Sequence, residues 1–183
     1  AAPAIGKLFG RVRPTEVPSL MALLPRCELT IESSVDLPVA EIAMAKLTWF
    51  LGRIGTDGAD LTGAGYLKPA FVAAIREELD WGLGWVGPSN REIDHHQVTD
   101  LREAARHLGL TRTSKGRLLR TKLGAALTDD PVGMWRHAAS RLPLGKETYE
   151  TDAATLFLIS LAASASAAHR NEMLIETVAE LGW

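Results

Sequence analysis

Apolar residues recur at helical spacing in two long segments, and this periodicity constrains the fold more than any other feature of the chain. In residues 37–54 the steps are four, four, three and four, at Val39, Ala43, Leu47, Phe50 and Ile54. In residues 98–108 the steps are three, four and three, at Val98, Leu101, Ala105 and Leu108. Because such spacing places residues on one face of an α-helix, both segments are predicted to be amphipathic helices.

A glycine-containing turn and then a Thr-x-x-Gly motif follow each of these helices. The motifs are Thr62-x-x-Gly65 and Thr121-x-x-Gly124, 59 residues apart. A threonine before a helix accepts a hydrogen bond from a free backbone N–H of the first turn, so each motif is predicted to begin a helix. The order of helix, short hairpin and capped helix therefore occurs twice, which predicts a duplicated module.

The other segments predict further helices and one irregular region. The last third of the chain predicts two helices, about 150–164 and 171–181. The first 35 residues carry four prolines and no lasting apolar period, so they are predicted to be a weakly structured arm or linker that docks on the rest of the chain. Within it, residues 17–25 can form a two-turn helix between prolines. A helix after Pro131 is predicted to turn four residues inwards, Val132, Trp135, Ala139 and Leu142.

The stretch "VTDLREAARHLGLTRTSKGRLLRTKLGAAL", residues 98–127, resembles the second half of a winged-helix module. Helix, glycine, strand, basic turn, strand and Thr-x-x-Gly follow one another in it, as in many bacterial regulators. The resemblance implies that residues 98–108 form the helix that enters the DNA major groove. It also implies that residues 111–121 form the wing.

A broader resemblance covers most of the chain. The stretches "LTGAGYLKPA", "NRE", "DDPVGMWRHAASRLPLG" and "ELGW" are similar to the C-terminal region of actinobacterial proteins of the plasmid open-reading-frame-three type. That family has no assigned catalytic residues, so the resemblance implies a domain organisation and no activity. In such proteins a β-rich domain precedes this region, and nothing here resembles it. The chain is therefore expected to be a fragment or a stand-alone relative.

Together these features predict a mainly α protein with tandem winged-helix-like modules, two short β-hairpins and a C-terminal helical pair. A chain of 183 residues is long enough for one good core or two small ones. The expected division is an arm or linker at 1–35, a first helix-hairpin-helix module with a loop at 36–95, a second winged-helix-like module at 96–145 and the helical pair at 146–183.

Positive charge is concentrated in residues 108–127, although the net charge of the whole chain is −2. The segment contains no acid and five basic residues, which form the candidate nucleic-acid-binding set: Arg112, Lys115, Arg117, Arg120 and Lys122. Lysine and arginine bind phosphates through charge, with release of counterions from the nucleic acid. The expected recognition helix also carries Asp100 and Glu103, which fit poorly into a groove lined by phosphates.

Two functions therefore stay open for a non-enzymatic binding module. In the first, the basic wing contacts DNA. In the second, the modules are a scaffold for protein–protein contact or self-association without nucleic-acid binding, and the charges keep an exposed edge strand from pairing with other chains. Winged-helix folds serve both roles, so the fold alone does not decide.

No catalytic, cofactor or metal site is predicted. The chain lacks Gly-x-Ser-x-Gly, a Walker loop and HExxH. Four clustered residues have side chains that bind metals, Glu92, Asp94, His95 and His96. Adjacent residues rarely converge on one ion, and no second cluster has ligand spacing, so surface or loop histidines are expected.

The chain is expected to be cytoplasmic and to have no membrane contact. Its most apolar run, residues 153–168, is shorter than the roughly 20 residues that a spanning helix needs, and no signal-peptide pattern opens the sequence. Cys27 is the single cysteine. Because it has no partner for an internal disulfide, a reducing compartment is expected.

Overall fold

The computed structural model describes residues 2–15, 17–27, 34–81, 90–145 and 147–163, together with 166, 171, 172 and 175. The prediction of a mainly α protein is confirmed, because 63 % of the described chain is helical and 8 % is in strands. Its α-helices are α1 (Ala2–Phe9), α2 (Val17–Met21), α3 (Leu37–Ile54), α4 (Pro69–Glu78), α5 (His96–His107), α6 (Lys122–Leu127), α7 (Pro131–Arg141) and α8 (Thr148–Ala162). The 3₁₀ turns are Leu24–Cys27 and Glu92–Asp94, and the strands are β1 (Ala59–Asp60), β2 (Thr111–Ser114) and β3 (Arg117–Arg120).

The chain divides into two compact units. Unit 1 contains Ala1–Ser34 and Arg141–Trp183, and unit 2 contains Val35–Ser140. The first boundary lies next to the expected end of the arm at residue 35, whereas the division expected between residues 95 and 96 falls inside unit 2. Each unit has its own hydrophobic core.

Helices α3, α4 and α5 surround the core of unit 2. The core includes Phe50, Ile54, Val72, Ile75, Val98, Leu101, Ala105 and Leu118. The helix predicted at residues 98–108 is confirmed as α5, and its predicted apolar face is buried. Gly109 follows α5 with a φ of 73°, the left-handed conformation that commonly ends a helix.

The three strands form one antiparallel sheet in the order β1-β3-β2. Strands β2 and β3 form the hairpin that the sequence predicts around Gly116. The other predicted hairpin, around Gly58, does not form as expected. Instead, β1 pairs with the free side of β3, with Ala59 opposite Leu118. In the segment where that hairpin was expected, the described chain has a single bridge between Leu61 and Leu67. One sheet therefore joins the two segments that the sequence suggested were separate.

The second Thr-x-x-Gly motif begins a helix, as predicted. Thr121 Oγ1 accepts a hydrogen bond from the Gly124 N–H at 2.9 Å and so caps α6. A Cβ atom added to Gly124 would clash with the Leu110 carbonyl oxygen. The motif therefore combines a capping hydroxyl with a close approach of the helix to the backbone that precedes β2.

The first motif has a different structure, and the prediction that Thr62 caps a helix is wrong. Thr62 Oγ1 accepts the Tyr66 N–H at 3.0 Å within a turn, and Gly65 lies in this turn with a φ of 83°. Helix α4 begins only at Pro69. Proline is favoured at the start of a helix because its missing N–H costs no hydrogen bond there.

Only the C-terminal half of the predicted apolar face of α3 is covered. Phe50 and Ile54 are buried, and Leu47 packs partly against the core. Ala43 and Val39, on the same predicted face, are exposed. The large apolar residues exposed in the N-terminal turns are Leu37, Val39 and Ile42.

Helix α7 turns a different face inwards from the predicted one. Of the four residues predicted to face inwards, Val132 and Trp135 are partly buried, but Ala139 and Leu142 are exposed. Met134 is fully buried instead. His137, one turn further on, hydrogen-bonds to the Leu108 carbonyl at 2.7 Å, and this polar contact joins the same side of α7 to the end of α5.

Unit 1 packs the N-terminal helices against α8. Its core includes Leu8, Val12, Leu20, Leu23, Leu156 and Ile159. The described part of residues 1–35 is more helical than the weakly structured arm that the sequence predicts, since α1 forms in addition to α2. Its apolar residues pack against α8. The buried Asp152 carboxylate accepts a hydrogen bond from Arg11 Nε at 2.9 Å.

The first helix of the predicted C-terminal pair is confirmed as α8. The second, predicted at residues 171–181, lies largely outside the described residues. No helix in the described part of the chain combines the length and apolar content needed to cross a bilayer.

Candidate nucleic-acid interface

The five basic residues singled out in the sequence lie on or directly after one hairpin. We call residues 111–121 the basic hairpin, and Lys122 follows it as the first residue of α6. Lys115 and Gly116 form the turn with φ values of 49° and 71°. Two successive positive φ values are typical of a type I′ turn, whose twist matches that of the flanking strands. Lys115 therefore lies at the tip, in a conformation that lysine rarely adopts.

The strand register places two arginines on the outer face of the sheet. Leu118 faces the core, so Arg117 beside it points outwards. Arg117 lies opposite Asp60 of β1 and Ser114 of β2. Because alternate residues of a strand share a face, Arg112 lies on the outer face with Ser114.

Contacts with β1 hold Arg117 in place. Its Nε lies 3.2 Å from Asp60 Oδ1, and its Nη2 donates to the Gly58 carbonyl at 3.3 Å. Lys68 Nζ lies 3.0 Å from Asp60 Oδ2. The hydrogen bond from Lys68, together with the charges of Lys68 and Arg117, lowers the pKa of Asp60, so this carboxylate stays charged at neutral pH.

Arg120 is bound within the fold. Its Nε donates to the Gly55 carbonyl at 2.9 Å, and its Nη1 donates to Thr128 Oγ1 at 3.2 Å. Gly55 ends α3, where a positive charge interacts favourably with the helix dipole. Both contacts join the hairpin to helices of unit 2, which gives Arg120 a structural role.

The remaining three basic residues are exposed to solvent. Within the part of the chain that the structure describes, Arg112, Lys115 and Lys122 have no hydrogen-bond or ion-pair partner through their side chains. The structure therefore brings all five residues together and leaves three of them available to a ligand.

The solvent side of α5 carries acids. Asp100 is exposed, and the Glu103 side chain is 44 % exposed. Arg106 Nε donates to Glu103 Oε2 at 2.9 Å, and this hydrogen bond holds the pKa of Glu103 below its usual value. Arg106 pairs with Glu103 and not with Asp100. The solvent side of α5 is therefore not uniformly positive, as a helix in a DNA groove would need to be.

Arg102, also on α5, points inwards. Its Nη1 lies 2.9 Å from Glu92 Oε2, and its Nη2 donates to the Gly65 carbonyl at 2.8 Å. The Glu92 carboxylate, with 2 % of its side chain exposed, also accepts the Leu67 N–H at 2.5 Å. This buried pair joins α5 to the loop between β1 and α4.

The ion pair with Arg102 occupies Glu92, which is one of the four residues considered as metal ligands. Glu92 is bound to Arg102, and the neighbouring His95 is buried while His96 is exposed. Among the described residues no group of three or more His, Cys, Asp or Glu side chains is placed to hold a metal ion.

A groove of about 300 Å³ lies beside β1 and was not foreseen from the sequence. It is lined by Arg53, Gly58, Ala59, Asp60, Lys68, Ala70 and Phe71. Asp60 also contacts Arg117, so the groove adjoins the outer face of the sheet. These residues lie beside the hairpin because β1 pairs with β3, which is distant in sequence. Local spacing in the sequence does not predict this pairing.

No family model matches the chain, and no curated protein or solved structure matches it. The two resemblances noted in the sequence therefore stay predictions, and the function is inferred from geometry.

Proposed function

We propose that residues 35–140 form a single winged-helix module and that the chain is a non-enzymatic binding protein. The order helix, strand, helix, helix, strand, strand supports this proposal, in α3, β1, α4, α5, β2 and β3. The sheet order β1-β3-β2 supports it as well, because the first strand of such a module pairs with the strand that returns from the wing.

The module binds the phosphate backbone of a nucleic acid through the basic hairpin. One observation carries this proposal: Arg112, Lys115 and Lys122 are exposed and unpaired within the described chain. Unpaired cations on and directly after the hairpin can approach phosphates without first breaking an internal ion pair. Contacts of this kind give sequence-independent affinity that falls as salt rises.

Helix α5 does not read bases in this proposal. Its solvent side presents Asp100 and Glu103, and its Arg102 is committed to the buried Glu92. The expected major-groove contact of residues 98–108 would bring carboxylates close to phosphates. The interaction is therefore expected to be backbone-directed and to discriminate little between sequences.

Replacement of Arg112, Lys115 and Lys122 together by Gln tests the proposal. Each phosphate contact contributes about 0.9 to the slope of log affinity against log salt. The triple variant should therefore bind a random duplex more weakly and with a slope reduced by about 3. Fluorescence anisotropy across a series of salt concentrations measures both quantities.

A control variant changes the net charge by the same amount. Lys7, Arg26 and Arg136 are exposed residues outside the hairpin, and their replacement by Gln should leave the salt slope nearly unchanged. An equal loss in both triple variants would mean that only total charge matters. Absence of binding by the parent chain at low salt would contradict the proposal outright.

A protein partner is the second candidate, and the N-terminal turns of α3 favour it. Val39 and Ile42, which lie one turn apart on the same side of the helix, are 57 and 80 % exposed, and adjacent exposed apolar residues are typical of interaction sites. A second copy of this chain is the simplest such partner. Sedimentation equilibrium decides between the candidates: a dimer that does not bind duplex and dissociates on Ile42→Ser would favour self-association.

A further inference from the structure

The groove beside β1 has a cationic rim of its own. Arg53, from the last turn of α3, and Lys68, directly before α4, both line it. Their side chains are 51 and 52 % exposed. Arg117 of the hairpin does not line the groove but contacts its Asp60, so two cations line this space and a third binds its carboxylate.

Asp60 divides its carboxylate between two of these cations. Oδ1 lies 3.2 Å from Arg117 Nε, and Oδ2 lies 3.0 Å from Lys68 Nζ. A phosphate offers oxygen acceptors of the same kind to arginine and lysine. The carboxylate therefore makes the contacts that a bound phosphate would make with the same two side chains.

Arg53 is only loosely paired. Its Nη1 lies 3.9 Å from Glu78 Oε1, which is beyond hydrogen-bond distance. Glu78 is itself engaged elsewhere, because its Oε2 accepts the Trp49 indole N–H at 2.9 Å. The guanidinium of Arg53 is thus free to turn towards a ligand in the groove.

We propose that this groove binds one phosphate group of a nucleic-acid backbone between Arg53, Lys68 and Arg117, and that Asp60 competes with that phosphate. The inference rests on the proposed function, since it extends the contact surface from the hairpin to the groove. The side chains of Asp60, Lys68 and Arg117 are 55, 52 and 44 % exposed, and ion pairs this exposed are weak. A strand already held by the hairpin presents its next phosphate at high effective concentration, which favours displacement of the carboxylate.

Asp60→Asn tests the competition, because it removes the negative charge and keeps the size of the side chain. The variant should bind a random duplex about 3- to 10-fold more tightly at moderate salt, with a salt slope steeper by about 1, because Lys68 and Arg117 become available to one further phosphate. Lys68→Gln in the Asp60→Asn background should remove most of the gain. Anisotropy titrations at several salt concentrations give these values, and urea melts establish that each variant is folded.

Asp57→Asn is the matched control. Asp57 is exposed, lies three residues from Asp60 and has no ion-pair partner in the described chain, so its replacement changes the net charge equally without releasing a groove cation. An equal gain from both variants, or no gain from Asp60→Asn, would overturn the groove proposal. If the hairpin triple variant still loses its salt slope in that case, the proposed function survives. If neither the parent nor Asp60→Asn binds at low salt, both proposals fail.

Discussion

Lys115 adopts a backbone conformation that reduces the stability of the fold. Its φ of 49° lies in the left-handed region, where a residue other than glycine or asparagine loses roughly 1–2 kcal/mol. A type I′ turn usually places asparagine at this position. Backbone strain of this kind is concentrated at functional sites, which is consistent with a role for the lysine charge at the hairpin tip.

Lys115→Asn should therefore change stability and binding in opposite directions. The free energy of unfolding should rise by about 0.5 kcal/mol, because asparagine tolerates the left-handed conformation. The salt slope of duplex binding should fall by about 0.9, because one phosphate contact is lost. Urea melts and anisotropy titrations measure the two effects, and Lys122→Gln should show only the second. A less stable Lys115→Asn variant would show that the lysine is not strained.

The sequence predicts where positive charge is concentrated, but it does not predict which of the basic side chains are free to contact a ligand. The five basic residues share one hairpin because they are close in sequence. Arg120 and Arg117 are bound by Gly55 and Asp60, which lie about sixty residues earlier. Those contacts depend on long-range packing that local spacing does not encode.

At the level of elements, α5 and the β2–β3 hairpin follow their local patterns, whereas β1 and the buried face of α7 do not. The apolar periodicity of α3 and α5 and the capping hydroxyl of Thr121 depend on neighbouring residues, so the sequence predicts them. A two-residue strand such as β1 has too little pattern of its own, and its partner is β3 rather than a neighbour in sequence. The Thr62 motif has the same local spacing as the Thr121 motif, so the sequence predicts a helix at both. The chain at Thr62 forms a turn instead.

The position of α5 depends on the buried pair of Glu92 and Arg102. Arg102→Met should lower the free energy of unfolding by roughly 3 kcal/mol, because it leaves the Glu92 carboxylate buried and unpaired. Arg106→Met, one turn further along the same helix, removes an exposed pair and should cost less than about 1 kcal/mol. Equilibrium urea melts compare the two variants. Equal losses would mean that the buried pair does not anchor α5.

At the scale of the whole molecule, two units of different construction share one chain. Unit 2 is continuous in sequence, whereas unit 1 combines the N-terminal segment with α8. The sequence does not predict helix α1, because the four prolines of the first 35 residues shorten the apolar periods from which helices are predicted. The packing of Leu8 and Leu20 with Ile159 becomes visible only when the N-terminal helices are placed beside α8.

We propose that the hairpin, and not α5, contacts a nucleic acid. Titration of the labelled protein with a random duplex, followed by backbone amide chemical shifts, tests it most directly. The largest changes should occur at residues 111–122, with smaller ones at residues 58–68 along the groove. The amides of Asp100, Glu103 and His107 on the solvent side of α5 should change little. Largest changes at those α5 residues, or no changes anywhere at low salt, would contradict the claim.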